Sequence, residues 1–373
     1  MRKKENSAGE LVRPLAVARE LLPELRQRES ELDLRGKFAA DNIDLLRQAG
    51  LLALTVPVSE GGMGGDLSAS VETLRELAQA SPSTALMLAM HNSTLAHYRL
   101  EPANVPPEER DFFLQQRAWA WGEAIRGCVF GVANSEPGAG GDVHNSKTQL
   151  SEEGDFVSGI KSFASMGLAP EYFMVAARDV RGGVDYYLVK NEAKTVRVES
   201  PWEATGMRSS ESVTLRFDGA PVVAPLGYRG LLDGANNRHW STLSFTAIFI
   251  GIAESLLEDA VSQAASMLQK TECVEFHLTL QASRAFLRHT VDAEPSRPDA
   301  SYRTMVRDAK LYVTRSLALR AAALFGSQGG GAYRLTSPFS RKLRDLLAGP
   351  LLRPPVGSSF DEVWEELMSS CEL

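Results

Sequence analysis

Three glycines and one serine lie between Asn134 and Asp142, where the sequence reads Asn-Ser-Glu-Pro-Gly-Ala-Gly-Gly-Asp. Gly140 and Gly141 let the backbone approach a ligand closely, and Ser135 adds a hydroxyl group. Such a segment can present several backbone N–H groups to an anionic or ring-shaped ligand. Glycine-rich segments are also common in ordinary turns, so this segment alone leaves both interpretations open.

A second chemically suggestive segment, residues 159–165, reads Gly-Ile-Lys-Ser-Phe-Ala-Ser. Phe163 offers an aromatic face, and Ser165 adds a hydroxyl group two residues further along the chain. An aromatic face beside a hydroxyl and free backbone N–H groups suits a planar, conjugated ligand. An ordinary packed phenylalanine in a hairpin is the alternative, so this segment becomes informative only together with the first.

The bulk composition argues against several kinds of partner. The chain has 373 residues and a formal net charge of −7, which disfavours a nucleic-acid backbone as the main partner. No apolar run approaches the ~20 residues of a membrane span, so we expect no membrane partner. The three cysteines, Cys128, Cys273 and Cys371, form no C-x-x-C pair. This predicts neither a disulfide framework nor a metal site and favours a reducing cytoplasm.

The hydrophobic periodicity divides the chain into residues 1–126, 127–233 and 234–373. The first and last zones have apolar residues at helical spacing, whereas the middle zone has a period of two. The predicted helices are Leu11–Arg28, Asn42–Leu54, Ser68–Gln79, Thr84–Tyr98, Thr242–Gln269, Gln281–Asp292 and Tyr302–Phe325. The predicted strands are Asp155–Ile160, Tyr172–Arg178, Val184–Lys190, Thr195–Glu199 and Ser212–Phe217. This order predicts an α+β protein with a small β-barrel or sandwich between helical domains and a ligand cleft at their junction.

Five motifs resemble segments of the acyl-CoA dehydrogenase superfamily, in the same order. Residues 134–142 look like that family's T-E-P-x-A-G-S-D, and residues 159–165 are similar to its G-x-K-x-W-I-T. Residues 206–210, 328–330 and 344–345 match further segments at the family's relative spacing. The resemblance covers nearly the whole chain. It implies a helical N-terminal domain, a central β domain and a C-terminal four-helix bundle.

The resemblance also implies a flavin cofactor, FAD or else FMN, that a neighbouring subunit helps to hold, and therefore a homodimer or homotetramer. It places the isoalloxazine ring beside residues of the first two motifs, namely Asn134, Ser135, Phe163, Ala164 and Ser165. Gly140 and Gly141 are expected near the phosphates. Four more residues are expected to reach the cofactor of a partner subunit, namely Lys270, Gln281, Gly329 and Gly330.

The reaction that the resemblance implies is oxidation of the α,β bond of an acyl thioester, with hydride transfer to flavin N5. That reaction needs a carboxylate to remove the α proton, and both of the family's usual positions lack one. Arg353 occupies the first position, and the second falls in the stretch around Ser241. Gly141, Arg238 and Ser241 are the expected substrate-side residues. The sequence therefore leaves the catalytic base unassigned.

The missing base leaves two alternatives open. The same fold hosts flavin-dependent monooxygenases, which use reduced flavin and O2, need no α-proton base and favour a hydroxyl and a histidine in a closed pocket. Ser165 and His91 are the candidates for those groups, and His239 is a weaker one. The other alternative is a flavin- or CoA-binding protein without turnover. The acidic residues beyond Pro355 are expected to lie on the solvated face of a terminal helix; they are Glu362, Glu365 and Glu366.

Overall fold

Helices enclose a central set of strands in the computed structural model, which describes residues 2–352 and 354–371. The N-terminal helices are α1 (Arg2–Arg35), α2 (Ala40–Gln48), α3 (Leu67–Ala78), α4 (Pro82–Leu95) and α5 (Arg110–Ile125). The strands are β1 (Phe130–Ala133), β2 (Gln149–Leu150), β3 (Phe156–Ala164), β4 (Tyr172–Arg178), β5 (Val184–Lys190), β6 (Val196–Ser200) and β7 (Val213–Pro225). The C-terminal helices are α6 (Arg238–Gln263), α7 (Met267–Asp292), α8 (Ala300–Gly326), α9 (Pro338–Leu346) and α10 (Val356–Cys371). The predicted α+β class and the helix–strand–helix order are confirmed.

The seven strands form one sheet that closes on itself. β4 pairs with β5, β5 with β7, β7 with β3 and β3 with β2, and β2 returns to β4 through Gln149 and Arg178. β1 adds in parallel to β4, while β6 pairs with β7. The strands therefore form a barrel rather than an open sandwich. Its interior is filled by apolar side chains such as Phe173, Val175 and Phe217.

α4 is buried along its whole length and lies between the N-terminal helices and the barrel. It begins at Pro82, after Ser81, whose hydroxyl accepts a hydrogen bond from the backbone N–H of Thr84 at 3.3 Å. It packs against α3, α6 and β1 and continues into a short 3-10 turn, Ala96–Arg99. α4 can therefore present side chains to the junction of the helical and β parts.

The C-terminal helices α6 to α9 pack together as a bundle. The sequence predicts one helix over Thr242–Gln269, but the chain breaks after Gln263 and α7 starts anew. The Ser266 hydroxyl accepts from the backbone N–H of Gln269 at 3.2 Å, and the Gln269 side chain accepts from the backbone N–H of Ser266 at 3.0 Å. This reciprocal cap stabilises a new helix start that hydrophobic periodicity does not reveal.

α6 also bears on the expectation of no membrane span. By length and composition α6 could cross a membrane, yet 78 % of its most apolar stretch is buried inside the protein. The core helix of a folded protein passes the same compositional test. Among the described residues no other helix passes it, and one such helix is weak evidence of a span.

Candidate active site

A large cavity of about 1540 Å³ lies at the junction of the barrel and the helices. Small-molecule pockets typically measure ~300–1,000 Å³, so this volume has room for more than one ligand group. One wall comes from the β part and its loops, and includes Asn134, Ser135, Phe163, Ser165 and Trp202. The opposite wall comes from α4, α6 and α8, and includes Leu86, Met90, His97, His239 and Phe245. The cleft predicted between the domains is thus present.

Asn134 and Ser135 follow β1 directly and are held in place through their backbone neighbours. The Asn134 side-chain oxygen accepts from the backbone N–H of Ala176 in β4 at 2.8 Å. The carbonyl of Ser135 accepts from the backbone N–H of Ser162 in β3 at 2.8 Å. Both residues line the cavity. The first motif is therefore fixed to the barrel at its start, and the Ser135 hydroxyl remains available to a ligand.

A buried ion pair stabilises the rest of the first motif. Lys161, which is fully buried, donates from Nζ to Glu136 Oε1 at 2.5 Å and to the carbonyl of Ala176 at 2.5 Å. Ser146 and the backbone N–H of Lys147 also donate to Glu136. Although burial opposes ionisation, these hydrogen bonds and the lysine charge lower the pKa of Glu136 to about 2. Glu136 therefore anchors the motif as a carboxylate and is a poor proton acceptor.

Phe163 is held in an unusual conformation at the cavity. It has a positive φ of 56°, which is uncommon for a bulky residue, and it is 61 % exposed. Its ring meets that of Trp202 edge to face at 6.1 Å, and both residues line the cavity. Strained, exposed aromatic residues of this kind are typical of ligand sites. Ala164, in contrast, is fully buried in the barrel core and lies outside the cavity lining.

A chain of hydroxyl groups lies beside Phe163. Ser165 Oγ is 2.8 Å from Ser212 Oγ, which is 2.8 Å from Ser210 Oγ. Ser165 is 4 % exposed and lines the cavity together with Ser212. Buried hydroxyls in a row can donate to or accept from a ligand by rotation of their O–H bonds. Ser212 was not singled out by the sequence, because it lies 47 residues from Ser165 and meets it only through the pairing of β3 and β7.

The glycines of the first motif adopt the left-handed backbone conformation that the motif requires. Gly140 has φ 64° and Gly141 has φ 88°. A side chain at Gly141 would come within 2.8 Å of Pro355, whereas a Cβ at Gly140 would meet no protein atom within 4 Å. Gly141 lines the cavity and Gly140 lies next to it on the exposed side of the turn. The open side at Gly140 is compatible with close approach of a ligand.

The arginine–aspartate motif supports the segment that carries Trp202. Asp345 Oδ1 accepts from the backbone N–H of Met207 at 2.6 Å, and Arg344 donates to the carbonyl of Thr205 at 2.6 Å. Two of the five motifs, far apart in sequence, therefore meet at one edge of the cavity. Arg344 and Met207 are themselves part of the cavity wall.

α4 and the 3-10 turn after it present one face to the cavity. Leu86, Met90, Ser93 and His97 recur at helical spacing and all line it. His91 lies on another face and is fully buried. Its Nε2 is 2.6 Å from the carbonyl of Leu52, and its Nδ1 accepts from the backbone N–H of Phe130 at 3.1 Å. His91 is thus a satisfied interior histidine, and the histidine that the helix brings to the cavity is His97.

His97 is a neutral imidazole in the cavity wall. Burial, together with the positive charge of Arg238 and the nearby His239, lowers the pKa of His97 to about 3. Its Nδ1 accepts from the backbone N–H of Asn237 at 3.4 Å. The proton of the neutral ring is therefore assigned to Nε2, which makes His97 a hydrogen-bond donor toward a ligand. The periodic spacing from Met90 and Ser93 was the signal that could have identified it.

The start of α6 carries two of the expected substrate-side residues, Arg238 and Ser241, and the weaker histidine candidate His239. Arg238, His239 and Ser241 all line the cavity, with Arg238 exposed at its rim and His239 only 6 % exposed. None of these is a carboxylate. Arg353, the residue at the family's other base position, lies outside the described residues.

Carboxylates do line the outer part of the cavity, but each is held as an anion or faces solvent. Arg307, which is 6 % exposed, donates to Glu362 at 3.2 Å and to Glu366 at 2.8 Å. These bonds lower the pKa of Glu366. Glu365 and Glu203 are exposed. The sequence predicts that the glutamates of α10 lie on a solvated helix face. In the structure they are solvent-exposed and also form part of the cavity rim.

Four residues expected at the cofactor lie elsewhere in this chain. Lys270 and Gln281 are on α7, and Gly329 and Gly330 follow α8. All four are exposed, and none lines the cavity. This location neither supports nor opposes the prediction that they reach a partner subunit's cofactor.

The cavity residues fit a flavin. A flavin ring needs a flat apolar or aromatic surface and hydrogen-bond partners along its polar edge, and its phosphate needs an open, glycine-rich approach. Exposed, strained Phe163 could supply the first, the Ser165–Ser212 hydroxyls and Ser135 could supply the second, and the open turn at Gly140 is compatible with the third.

Family models agree with the fold and with these residues. The model of the acyl-CoA dehydrogenase N-terminal domain matches residues 15–102, and that of the acyl-CoA dehydrogenase middle domain matches residues 131–220. The chain belongs to the acyl-CoA dehydrogenase superfamily. The resemblance that the motifs indicate is therefore confirmed.

Relatives within the superfamily are named for different reactions. L-evernosamine nitrososynthase of a Micromonospora species is 28 % identical over 365 residues, which covers 90 % of this chain and 84 % of the relative. The short-chain-specific acyl-CoA dehydrogenase of Clostridium acetobutylicum is 24 % identical over 378 residues, covering 90 % and 93 %. The FMN-bound structure of the dibenzothiophene monooxygenase TdsC from Paenibacillus sp. A11-2 superposes with a TM-score of 0.81 at 24 % identity, covering 96 % and 98 %. The relatives are flavin-dependent enzymes of one fold, and the fold does not separate their reactions.

Proposed function

We propose that this protein is a flavin-dependent monooxygenase of the acyl-CoA dehydrogenase fold, which uses reduced flavin and O2 to oxygenate a small molecule. Oxidation of an acyl thioester is the alternative that the motifs first indicate. The observation that carries the choice is the character of the cavity. It contains a neutral histidine and a row of buried hydroxyls, and among the described residues it offers no buried carboxylate free to act as a base.

The carboxylates of the cavity wall are poorly suited to remove an α proton. A general base works best when its pKa lies near the working pH. Glu136 is tied to Lys161, and its pKa is lowered to about 2. Glu366 and Glu362 are bound to Arg307. Monooxygenation needs no carboxylate that removes an α proton, so this arrangement favours the monooxygenase.

The residues of the two walls would then have separate roles. Bound reduced flavin supplies the two electrons with which one atom of O2 becomes water while the other enters the substrate. Ser165, through Ser212, offers a hydroxyl to the ring edge, and Phe163 covers its face. His97 offers its Nε2–H to an oxygen atom in the cavity. Leu86, Met90 and Phe245 exclude water from the helical side.

We further propose FMN rather than FAD as the flavin. The FMN-bound relative supports this choice. Equilibrium dialysis against FMN and FAD tests it, and we expect FMN to bind at least as tightly as FAD. A clear preference for FAD would contradict this part of the proposal.

We also propose a cytoplasmic location. The described cysteines, Cys128 and Cys273, are free thiols, which is compatible with it.

An anaerobic experiment separates the two reactions. Protein loaded with oxidised flavin is mixed with acyl-CoAs of several chain lengths, and the flavin absorbance is followed. We expect no bleaching, because no cavity carboxylate is poised to remove the α proton. In a second experiment, protein with reduced FMN is mixed with O2 in a stopped-flow instrument. We expect a transient absorbance distinct from reduced and oxidised flavin; rapid bleaching by an acyl-CoA, or direct reoxidation without a transient, would refute the monooxygenase.

We also propose that the protein assembles as a homodimer or homotetramer through α7 and α8. α7 exposes several large apolar side chains on its surface: Met267, Leu268, Val274 and Leu278. Leu319 of α8 and Tyr333 and Leu335 after it are also exposed. A group of exposed large apolar side chains is typical of a protein interface. Lys270 and Gln281 share the Val274–Leu278 face by helical spacing, so this assembly could bring them to a partner subunit's cofactor.

A further inference from the structure

The start of α6 adds a histidine–carboxylate pair to the cavity wall. Nε2 of His239 lies 2.7 Å from Oε1 of Glu294, which belongs to the loop between α7 and α8. The His239 side chain is 3 % exposed, whereas that of Glu294 is 29 % exposed. The imidazole is therefore part of the cavity wall, and its partner connects that wall with solvent.

The hydrogen-bond partners of His239 indicate which ring nitrogen carries the proton of the neutral imidazole. Oε1 of Glu294 also accepts from the indole N–H of Trp240 at 2.9 Å, so this carboxylate oxygen is an acceptor for both neighbours. Nε2 of His239 accordingly carries the proton of the neutral ring, and Nδ1 keeps its lone pair. Within the described part of the chain Nδ1 has no hydrogen-bond partner. The ring of Tyr302 packs edge-on at 5.4 Å and fixes the ring's orientation.

The two histidines of the helical wall thus offer opposite hydrogen-bonding groups to the cavity. His97 has its lone-pair nitrogen occupied by the backbone of Asn237 and presents a donor. His239 has its donor nitrogen occupied by Glu294 and presents an acceptor. A carboxylate behind an imidazole orients the ring and stabilises the imidazolium formed when it accepts a proton. Only His239 is arranged as a base.

The surrounding wall defines what such a base would face. With a flavin ring against the β-side residues, the helical side of the cavity remains for the substrate. Leu86, Met90 and Phe245 make that side mainly apolar. His239 and Ser241 supply polar groups at one end. The site is therefore suited to a compact apolar molecule that carries one polar, ionisable group.

We propose that His239, held by Glu294, is the base that deprotonates the substrate; this inference rests on the monooxygenase proposed above. The substrate then bears an ionisable hydroxyl or ammonium group on an apolar frame. The O–H or N–H bond breaks with its electron pair left on the heteroatom, and the proton passes to Nδ1. The negative charge of Glu294 balances the imidazolium. The electron-rich heteroatom then makes the substrate a better nucleophile toward activated oxygen, and the imidazolium releases its proton to water after the product leaves.

A chromogenic phenol tests the proton transfer without turnover. Para-nitrophenol absorbs visible light as the phenolate but not as the phenol. We expect the flavin-loaded, oxidised protein to bind it and to show the phenolate band at pH values below the pKa of the free phenol. His239→Gln should abolish the band. Glu294→Gln should keep the hydrogen bond but remove its charge, and lower the phenolate-to-phenol ratio about tenfold, which corresponds to one pKa unit.

A matched control identifies a purely structural role. Trp240→Phe removes the other hydrogen bond to Glu294 and leaves the histidine pair intact, so the band should persist. Circular dichroism and thermal unfolding show whether each variant remains folded. A band of equal strength in folded His239→Gln, or a bound probe without a band in the unmodified protein, overturns the proposal.

A second measurement does not depend on the probe. Nitrogen-15 NMR of the histidine side chains, with His239 assigned by difference from His239→Gln, reports which ring nitrogen carries the proton. We expect Nε2–H in the neutral form, because the adjacent carboxylate of Glu294 accepts a hydrogen bond at that nitrogen. Tyr302, His97 and Arg238 are further charged or titratable groups in this part of the described structure. Protonated Nδ1 in the neutral ring contradicts the proposal.

Failure of this inference and failure of the monooxygenase proposal are distinguishable. The probe and the NMR measurement require neither O2 nor reduced flavin. A protein that yields the reduced-flavin transient but shows no His239-dependent phenolate is a monooxygenase with another base. If the protein deprotonates the probe but gives no reduced-flavin transient, the assignment of His239 as a base stands and the monooxygenase proposal fails.

Discussion

At the scale of single residues, the flavin-side wall depends on contacts that hold an irregular backbone in one conformation. The Glu136–Lys161 pair anchors the first motif, and Phe163 keeps its positive φ in the cavity wall. A buried charge pair of this kind becomes costly when one partner is removed, since the other charge is then left without compensation. The residues beside the cavity are therefore positioned in part by a buried ion pair.

Gly140→Leu should abolish flavin binding and leave the fold intact. No protein atom lies within 4 Å of an added Cβ, so the new side chain would occupy space beside the cavity where the flavin phosphate is expected. Flavin content after saturation and dialysis measures the effect. Gly154→Leu is a matched control, because Gly154 also has a positive φ and an equally open side but lies in the β2–β3 turn. Equal flavin content in the two variants would contradict the placement of the phosphates.

At the scale of elements, helix register decides which residues reach the cavity. α4 and the turn after it place Leu86, Met90, Ser93 and His97 on one face. His91, one residue from Met90, falls on another face and is bonded to Leu52 and Phe130. α10 closes the outer end of the cavity and is held to α8 largely through Arg307, which bonds both Glu362 and Glu366.

Arg307→Met should loosen α10 without unfolding the bundle. The variant keeps much of the side-chain volume but removes the charge that holds two glutamates of α10. A protease that cleaves after glutamate should then cut α10 severalfold faster than in the unmodified protein, as followed by mass spectrometry. Arg320→Met is the control, since Arg320 pairs with Glu272 of α7 and not with α10. Unchanged cleavage of α10 in Arg307→Met would show that apolar packing alone holds this helix.

At the scale of the whole molecule, the exposed apolar face of α7 and α8 sets the expected assembly. Met267 is 79 % exposed and Leu278 59 % exposed, although both are large apolar residues. Such side chains are normally covered when they cluster on one surface. If a second copy covers them, residues far from the cavity of their own chain, such as Lys270 and Gln281, acquire a role in cofactor binding.

Leu278→Glu should dissociate the assembly, because it places a charge where the proposed interface buries an apolar side chain. Sedimentation equilibrium should then report the 40.6 kDa monomer, whereas the unmodified protein should sediment as a dimer or tetramer. Flavin affinity should fall in parallel if a partner subunit helps to hold the cofactor. Val180→Glu, at an exposed valine in the turn between β4 and β5, should change neither property. A monomeric unmodified protein would contradict the proposed assembly.

The sequence by itself determined the fold class and family, because both rest on local patterns. The change from helical to two-residue periodicity, the glycine-rich first motif and the spacing of the five motifs are all readable along the chain. The bounds of β4 and β5 were predicted residue for residue. Asn134, Ser135, Phe163 and Ser165 were selected through the motifs that resemble the superfamily, and all four line the cavity.

Only the tertiary structure decided which side chains share the cavity and in what chemical state. Ser212 meets Ser165 through strand pairing, and Glu294 meets His239 across 55 residues of sequence. The break before α7 depends on a local cap, whereas the choice of His97 over His91 depends on which helix face the barrel and α6 leave open. Hydrogen-bond partners then assign a donor to His97 and an acceptor to His239. These properties arise from long-range contacts and burial, which residue types and spacing do not encode directly.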